Sequence, residues 1–271
     1  LYLPKEWTSN KKRCKKSGIP KVEQVYRTKA ELALEMIQEM EGEIRYDWIG
    51  GDTIYGNSST LRHGLQTLKR LFVMDTSEDQ LVYLEHPRPY IPVSKPGKGR
   101  KKTSWTSSKK PVKVKELLVT LPDEQWKTYT IRQGTKGPIT RQVVVLEVYI
   151  CKAKRPNTDQ VEHLRLIISR NVDKSEVKYS LTNDVSLPQQ RLSDWGALYR
   201  QMQRYWVERG IQDCKDVLGM TDYQVRGWRA WNHHITLTIM ALHYILEQKV
   251  LHEEEVPLHS CPDIKFFLAS T

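Results

Sequence analysis

Nothing in this chain is apolar for long enough to cross a bilayer: the longest apolar run, within Ile235 to Leu246, is interrupted by threonines and His243. There is no secretory leader pattern, no internal repeat and no low-complexity tract beyond one basic loop. An initiating methionine is also missing, and the opening Leu1-Tyr2-Leu3-Pro4 fits a shortened chain or truncated gene better than a natural start. Cysteine is sparse. Cys14, Cys151, Cys214 and Cys261 form no CxxC pair and no zinc pattern with histidine, which excludes a disulfide scaffold and fits the reduced thiols of a cytosolic protein. Acid is short in two stretches. Between Lys5 and Lys29 nine basic residues face only Glu6 and Glu23, and between Lys95 and Lys115 nine more face no acid at all. Over the chain, 43 Lys and Arg against 32 Asp and Glu leave a net charge of +11, which favours a polyanion as partner.

What is present alternates. A length of 271 residues suggests one or two domains with a real core. Leu1 to Leu3 reads as the end of a strand, and Pro4 to Val22 as a basic, mostly irregular connection. Thr28 and Glu31 form a capping box, followed by a helical stripe of Leu32, Met36, Ile37 and Met40 that ends near Gly42. Ile44, Tyr46, Trp48 and Ile49 make a short β-prone run ended by Gly50-Gly51. Ser58 to Leu71 is a second amphipathic helix through Leu61, Leu65 and Leu68, and Phe72-Val73-Met74 starts a strand. Strand and helix in this alternation predict an α/β sheet with helical crossovers.

From Pro87 to about Pro188 the texture changes. Pro87, Pro89, Pro92, Pro96, Gly97 and Gly99 break up regular structure, and Arg100-Lys101-Lys102-Thr103-Ser104-Trp105 is a basic loop with one aromatic. A helical piece at Val114 to Leu118 precedes strands at Trp126 to Arg132, Arg141 to Cys151, His163 to Ser169 and Val177 to Leu181. Val143 to Val148 is nearly all apolar, which predicts a strand covered on both faces. One long helix is then expected from Ser193-Asp194 to Met220, with Trp195, Leu198, Tyr199, Met202 and Trp206 on one side. Arg204, Glu208, Ile211 and Lys215 form a band on the other. A solvated face with an i,i+4 ion pair accounts for that band as readily as chemistry does. Trp228 to Leu251 is apolar nearly all round, as in a buried helix, with Phe266-Phe267-Leu268 expected to dock back on the body.

Asp52 stands just past the Ile44–Ile49 run, where open α/β sheets place chemistry. A turn aspartate capping the next helix is the plain alternative. Trp48-x3-Asp52-x2-Tyr55-Gly56-Asn57 resembles the second-aspartate motif of DDE transposases from bacterial insertion sequences. Glu208-x6-Lys215, preceded by Arg204 and followed by Leu218-Gly219 and Trp228-x2-Trp231-x-His233-His234, resembles the glutamate signature of the same enzymes. The similarity runs over nearly the whole chain, including Leu1 to Trp7 and Thr135-Lys136-Gly137-Pro138.

The resemblance implies an α/β fold with a ribonuclease-H-like core interrupted by a β-rich insertion. Residues 1–88 would be the first part of the core, without its N-terminal strands, 89–188 the insertion with the basic loop, and 189–271 the rest of the core with the glutamate helix and a final buried helix. Asp52 and Glu208 would be catalytic, holding Mg²⁺ or Mn²⁺ in a two-metal site, because two hard cations about 3.5–4 Å apart can serve the attacking and leaving oxygens of a phosphodiester. Arg204, Lys215, Arg100, Lys101, Lys102 and Trp105 would meet DNA, both the element's terminal repeats and its target, with a homodimer in the DNA complex and no membrane. The setting would be the bacterial cytoplasm, at the nucleoid. The family's first aspartate falls upstream of Leu1, so the expectation is that this chain does not cleave DNA although a longer parent does. Asp47 is the nearest substitute, but its odd spacing from Asp52 puts the two on opposite faces of a regular strand. Two further readings stay open: a non-catalytic DNA-binding remnant of the same fold, and a basic β-domain that binds RNA with Asp52 and Glu208 merely structural.

Overall fold

The computed structural model of the chain describes residues 1–93, 102–134, 137–151, 160–224, 226–252, 254 and 260–270, with side chains through 266. In chain order the helices are α1 (Lys5–Thr8), α2 (Lys11–Lys16), α3 (Lys29–Glu39), α4 (Thr53–Gly56), α5 (Ser59–Thr67), α6 (Val114–Thr120), α7 (Asp194–Met202), α8 (Arg204–Asp216), α9 (Trp228–Leu251) and α10 (Cys261–Ser270). The strands are β1 (Ile49–Gly51), β2 (Phe72–Asp75), β3 (Leu81–Val82), β4 (Val112–Lys113), β5 (Lys127–Gly134), β6 (Gly137–Cys151), β7 (Val161–Asn171) and β8 (Val177–Thr182). Two compact units result, one of Lys29–Arg204 and one of Leu1–Thr28 with Tyr205–Thr271.

Parity builds the first unit. Around β2, Phe72 and Met74 enter one apolar layer while Leu71 and Val73 enter another. In β6 Val144 and Val148 oppose Val143, and in β7 Leu164, Leu166 and Ile168 oppose Ile167. Successive residues leave opposite faces of a strand, so an unbroken apolar run means cover on both sides, as expected for Val143 to Val148. Ala30 of α3, Leu61 and Leu65 of α5 and Leu117 of α6 cover one face, and Ala197 and Leu198 of α7 cover the other.

The six strands of the main sheet lie in the order β1-β2-β8-β7-β6-β5. β1 and β2 are parallel, joined by α4 and α5 as the crossover that parallel strands require. β2 pairs antiparallel with β8, placing Asp75 opposite Ser180, and β8 to β5 form an antiparallel meander. The β-rich stretch thus lays four strands in the same sheet as β1 and β2. β3 and β4 pair separately.

Several local expectations change here. β1 begins only at Ile49 and takes Gly50 and Gly51 as strand residues, while Ile44 is exposed ahead of it. The stripe on α3 that faces the core is Ala30, Ala33, Leu34 and Ile37, with Met36 and Met40 exposed. Leu34 on that face sets the fit with α5: a side chain at Gly64 would stand 2.5 Å from Leu34 Cδ2, so α5 carries glycine there. The long helix from Ser193 is interrupted. Ser193 caps α7 by accepting the Gly196 amide at 3.0 Å, but at Gln203 the amide turns to the Arg200 carbonyl three residues back (3.2 Å), and α8 starts afresh. The apolar stripe stops there too, since Trp206 is 56% exposed.

In the second unit, Leu1 to Leu3 form no strand, and α1 and α2 replace the irregular connection expected from Pro4 to Val22. Asn10 caps α2 by accepting the Arg13 amide at 3.0 Å. Cys14, the one residue α2 buries, packs with Leu3 and Ile19 against Trp7 and Trp228. The start of α9 is tied to this cluster by the Trp228 amide, which donates to the Ser17 carbonyl at 2.8 Å. Ile245 of α9 and Cys261 and Ile264 of α10 form a second small core with Val217, Leu218 and Leu242. The expectation that α9 is buried all round is overturned: Ile239, Met240, Tyr244 and Val250 are exposed, and only Thr238 and Ile245 are buried. Phe266 is exposed as well; the side chains of Phe267 and Leu268 lie outside the described residues.

Candidate active site at the ends of β1 and β2

Because β1 and β2 run parallel, their C-terminal ends share one edge of the sheet, and an acid stands at each. Asp52 follows Gly51. Its Oδ1 accepts the Ile54 amide at 2.8 Å and caps α4, so the plain alternative for this residue is realised. Among the described residues nothing donates to its other oxygen.

Asp75 ends β2, and sequence reasoning passed over it. The Ser180 hydroxyl donates to Oδ1 at 2.6 Å and Arg204 Nη1 to Oδ2 at 2.5 Å. Gln201 in turn donates to Ser180 Oγ at 2.9 Å. Burial pushes the Asp75 carboxyl above the usual carboxylate range; the Ser180 hydrogen bond, Arg204 and Lys178 oppose that rise, and the negative charge of Asp52 adds to it. Two acids therefore feel each other across this edge. The signal that could have revealed Asp75 is its placement: like Asp52, it comes directly after a short apolar strand run.

Steric fit explains the motif around Asp52. A side chain at Gly56 would come 1.8 Å from the Asp75 carbonyl oxygen, so α4 lies directly on the end of β2. Asn57 Oδ1 accepts from Thr76 Oγ1 at 2.9 Å and from the Ser77 amide at 3.2 Å. Beneath them Arg62 is 2% exposed and donates to the Gly56 carbonyl at 2.5 Å. The same guanidinium forms a two-point pair with Glu162, both hydrogen bonds at 2.7 Å. Asp52 is thus the cap of a helix pinned from below by a buried ion pair.

The other residues singled out by sequence distribute as follows. Arg204 belongs to this edge through Asp75. Glu208 and Lys215 stand exposed on α8 in the other unit, on the side away from buried Asp213 and Cys214. Trp105 is half-buried, and its indole nitrogen is out of solvent with no hydrogen-bond partner among the described residues. Lys102 is exposed, whereas Arg100 and Lys101 lie outside the described residues. The acid-free stretch meets acids in space: Lys109 pairs with Glu85, Lys113 with Asp79 at 3.0 Å, and Lys115 with Asp79 at 2.9 Å. His234 meets the Gly219 carbonyl at 3.1 Å, a polar role at the start of α9. Asp47 precedes β1 and lines a cleft of about 520 Å³ with Lys69, Arg70, Arg191 and Arg200. It sits at the other end of the parallel pair from Asp52, and the strand that would put it on the opposite face does not reach it.

A hard divalent cation seeks oxygen donors, and the second oxygen of Asp52 fits one. Asp75 fits less well, since each of its oxygens already accepts a hydrogen bond. Among the described residues no group of three or more His, Cys, Asp or Glu side chains could hold a metal ion, and no helix is long and apolar enough to cross a membrane.

A mixed sheet with helices on both faces, and acids where its parallel strands end, is consistent with the ribonuclease-H-like class of nuclease folds. Within that class a family model described as DDE superfamily endonuclease matches residues 1–138, and the chain belongs to this family. The matched span contains Asp52 and Asp75 and ends before Glu208. No curated protein matches the chain.

Proposed function

We propose that the chain is the catalytic region of a DNA transposase that hydrolyses phosphodiester bonds at insertion-sequence ends and transfers the strands to a target. The observation that supports this most is Asp52, with one oxygen open, beside a second acid at the ends of parallel strands in a chain of the DDE endonuclease family. Asp52 and Glu208 would hold Mg²⁺ or Mn²⁺, which when bound neutralises charge on the attacking and leaving oxygens. The chain's own residues supply the positioning. Arg62 and Asn57 fix α4 and with it the Asp52 carboxylate. Asp75 holds Arg204 at the same edge. Lys215, two turns beyond Glu208, would meet a phosphate near the scissile bond. Arg100, Lys101, Lys102 and Trp105 would line the path of the DNA, in a homodimer assembled on it in the bacterial cytoplasm.

The test is a nicking assay on DNA carrying the element's ends, run on this chain and on one extended upstream. Cleavage by the extended chain should need Mg²⁺ or Mn²⁺ and be abolished by Asp52→Asn and by Glu208→Gln. Metal-dependent cleavage that survives Asp52→Asn would sink the reading. The competing one, a non-catalytic DNA-binding remnant, draws support from the engaged oxygens of Asp75, which leave one open carboxylate at the edge. DNA affinity without cleavage in both chains would favour it.

A further inference from the structure

The unit of residues 1–28 and 205–271 holds a cleft of about 870 Å³ whose lining, among the described residues, mixes rings and cations without a single acid. The cations are Arg13, Lys16 and Arg226, and none has an acidic partner among the described residues. The tryptophans are Trp7, Trp228 and Trp231.

Local structure separates these rings by role. Trp228 and Trp231 are three apart in the first turn of α9 and so share a face. Trp228 is committed to the fold, packing on Leu3, Cys14 and Ile19 while its amide holds the Ser17 carbonyl. Trp7 packs on the same cluster and carries the Arg13 guanidinium 3.8 Å from its ring centroid. Trp231 differs: it is half-buried, and its indole has no ring or hydrogen-bond partner among the described residues. At the start of α9, Gly227 lines the cleft and offers no side-chain cap, while the Trp228 amide is already given to Ser17.

A simple anion would use the cations and leave the rings idle, and an apolar ligand would do the reverse. A nucleotide uses both, through its base and its phosphate. In a duplex the faces of a base are covered by its stacked neighbours, so only an unpaired base can lie on an indole. We infer that this cleft takes an unpaired nucleotide of single-stranded DNA, its base on Trp231 and its phosphates on Arg13, Lys16 and Arg226. The inference rests on DNA being the substrate, as proposed above, but not on cleavage.

The experiment is fluorescence anisotropy of the full chain, in EDTA and over a range of salt, with an end-labelled oligothymidylate of about twelve nucleotides and a duplex of equal length. Trp231→Ala should weaken single-strand binding about tenfold and leave duplex binding within about twofold, and Trp231→Phe should restore it to within about threefold, because stacking needs a ring rather than an indole. Replacing exposed Lys16 and Arg226 together by alanine should flatten the salt slope for the single strand by about 1.4. Should Trp231→Ala fail to fold by circular dichroism, that slope decides alone. Equal loss on both probes, no loss on either, or an unchanged slope overturns the assignment. Because the assay runs in EDTA and reads binding alone, the cleft and the cleavage reading can fail separately.

Discussion

Loss of Arg62 should hurt the fold severely. Arg62→Met keeps much of the apolar stem but removes two hydrogen bonds to Glu162, each 2.7 Å, and one to the Gly56 carbonyl at 2.5 Å. The Glu162 side chain is 5% exposed and would be left charged with no cation beside it. Breaking a buried pair from one side costs about 3–5 kcal/mol. For a chain of this size each kcal/mol moves Tm by about 2–4 °C, so the drop should be about 6–20 °C. The double variant Arg62→Met with Glu162→Leu should regain most of that, since the stranded charge is the main cost. About 1–3 kcal/mol should remain lost, because the Gly56 carbonyl still lacks its donor. Thermal and urea unfolding, followed by far-UV circular dichroism and tryptophan fluorescence, measure all three proteins. A single variant as stable as the parent, or a double variant no better than the single, refutes the reasoning.

Three more outcomes are expected. Gly56→Ala must push α4 off the end of β2, costing about 1–3 kcal/mol of stability, and should reduce Asp52-dependent cleavage by the upstream-extended chain more than it reduces DNA binding; unchanged stability and nicking would contradict the close approach. For Asp75, a carboxyl raised in the folded state binds protons more readily there than in the unfolded chain, so its contribution to stability declines as pH climbs from the ordinary carboxylate range through the raised value. Urea midpoints should therefore show Asp75→Asn gaining on the parent across that window, and parallel pH profiles would count against the shift. Replacing Arg100, Lys101 and Lys102 together by alanine should flatten the salt dependence of duplex binding by up to about 2.7, and an unaltered slope would remove this segment from the DNA path.

Much of the sheet was readable because β-branched and aromatic runs need only their own residues to declare themselves. The strands expected within Arg141 to Cys151 and Val177 to Leu181 fall inside β6 and β8, and the helix expected from Trp228 to Leu251 is α9. Failures came where a neighbour decides. Lys11 to Lys16 looks like a basic loop unless Cys14 is known to have Leu3 and Ile19 to pack on. The break at Gln203 leaves no trace in a sequence that is helix-compatible on both sides of it. Along α3 the longer side chains Met36 and Met40 drew attention, whereas the face against the core is Ala30, Ala33, Leu34 and Ile37. At the candidate site, the helix cap at Asp52 was legible from its place before Thr53 and Ile54. Asp75 and Arg62 were not, since the meaning of each lies in partners more than ninety residues away, Ser180 and Glu162.

That separation sets an order of assembly. β5 to β8 are successive antiparallel neighbours, so each hairpin can close as soon as its own residues exist. β2 must wait for β8, whose Ser180 lies 105 positions later in the chain than Asp75. During synthesis both acids leave the ribosome well before the strand that will hold one of them. The seam between β2 and β8 is then the last of the sheet to close, and hydrogen exchange during refolding should protect β6 and β7 before β2. The two acids are brought together early by the local pairing of β1 with β2, but Asp75 gains its Ser180 partner only once the meander is complete.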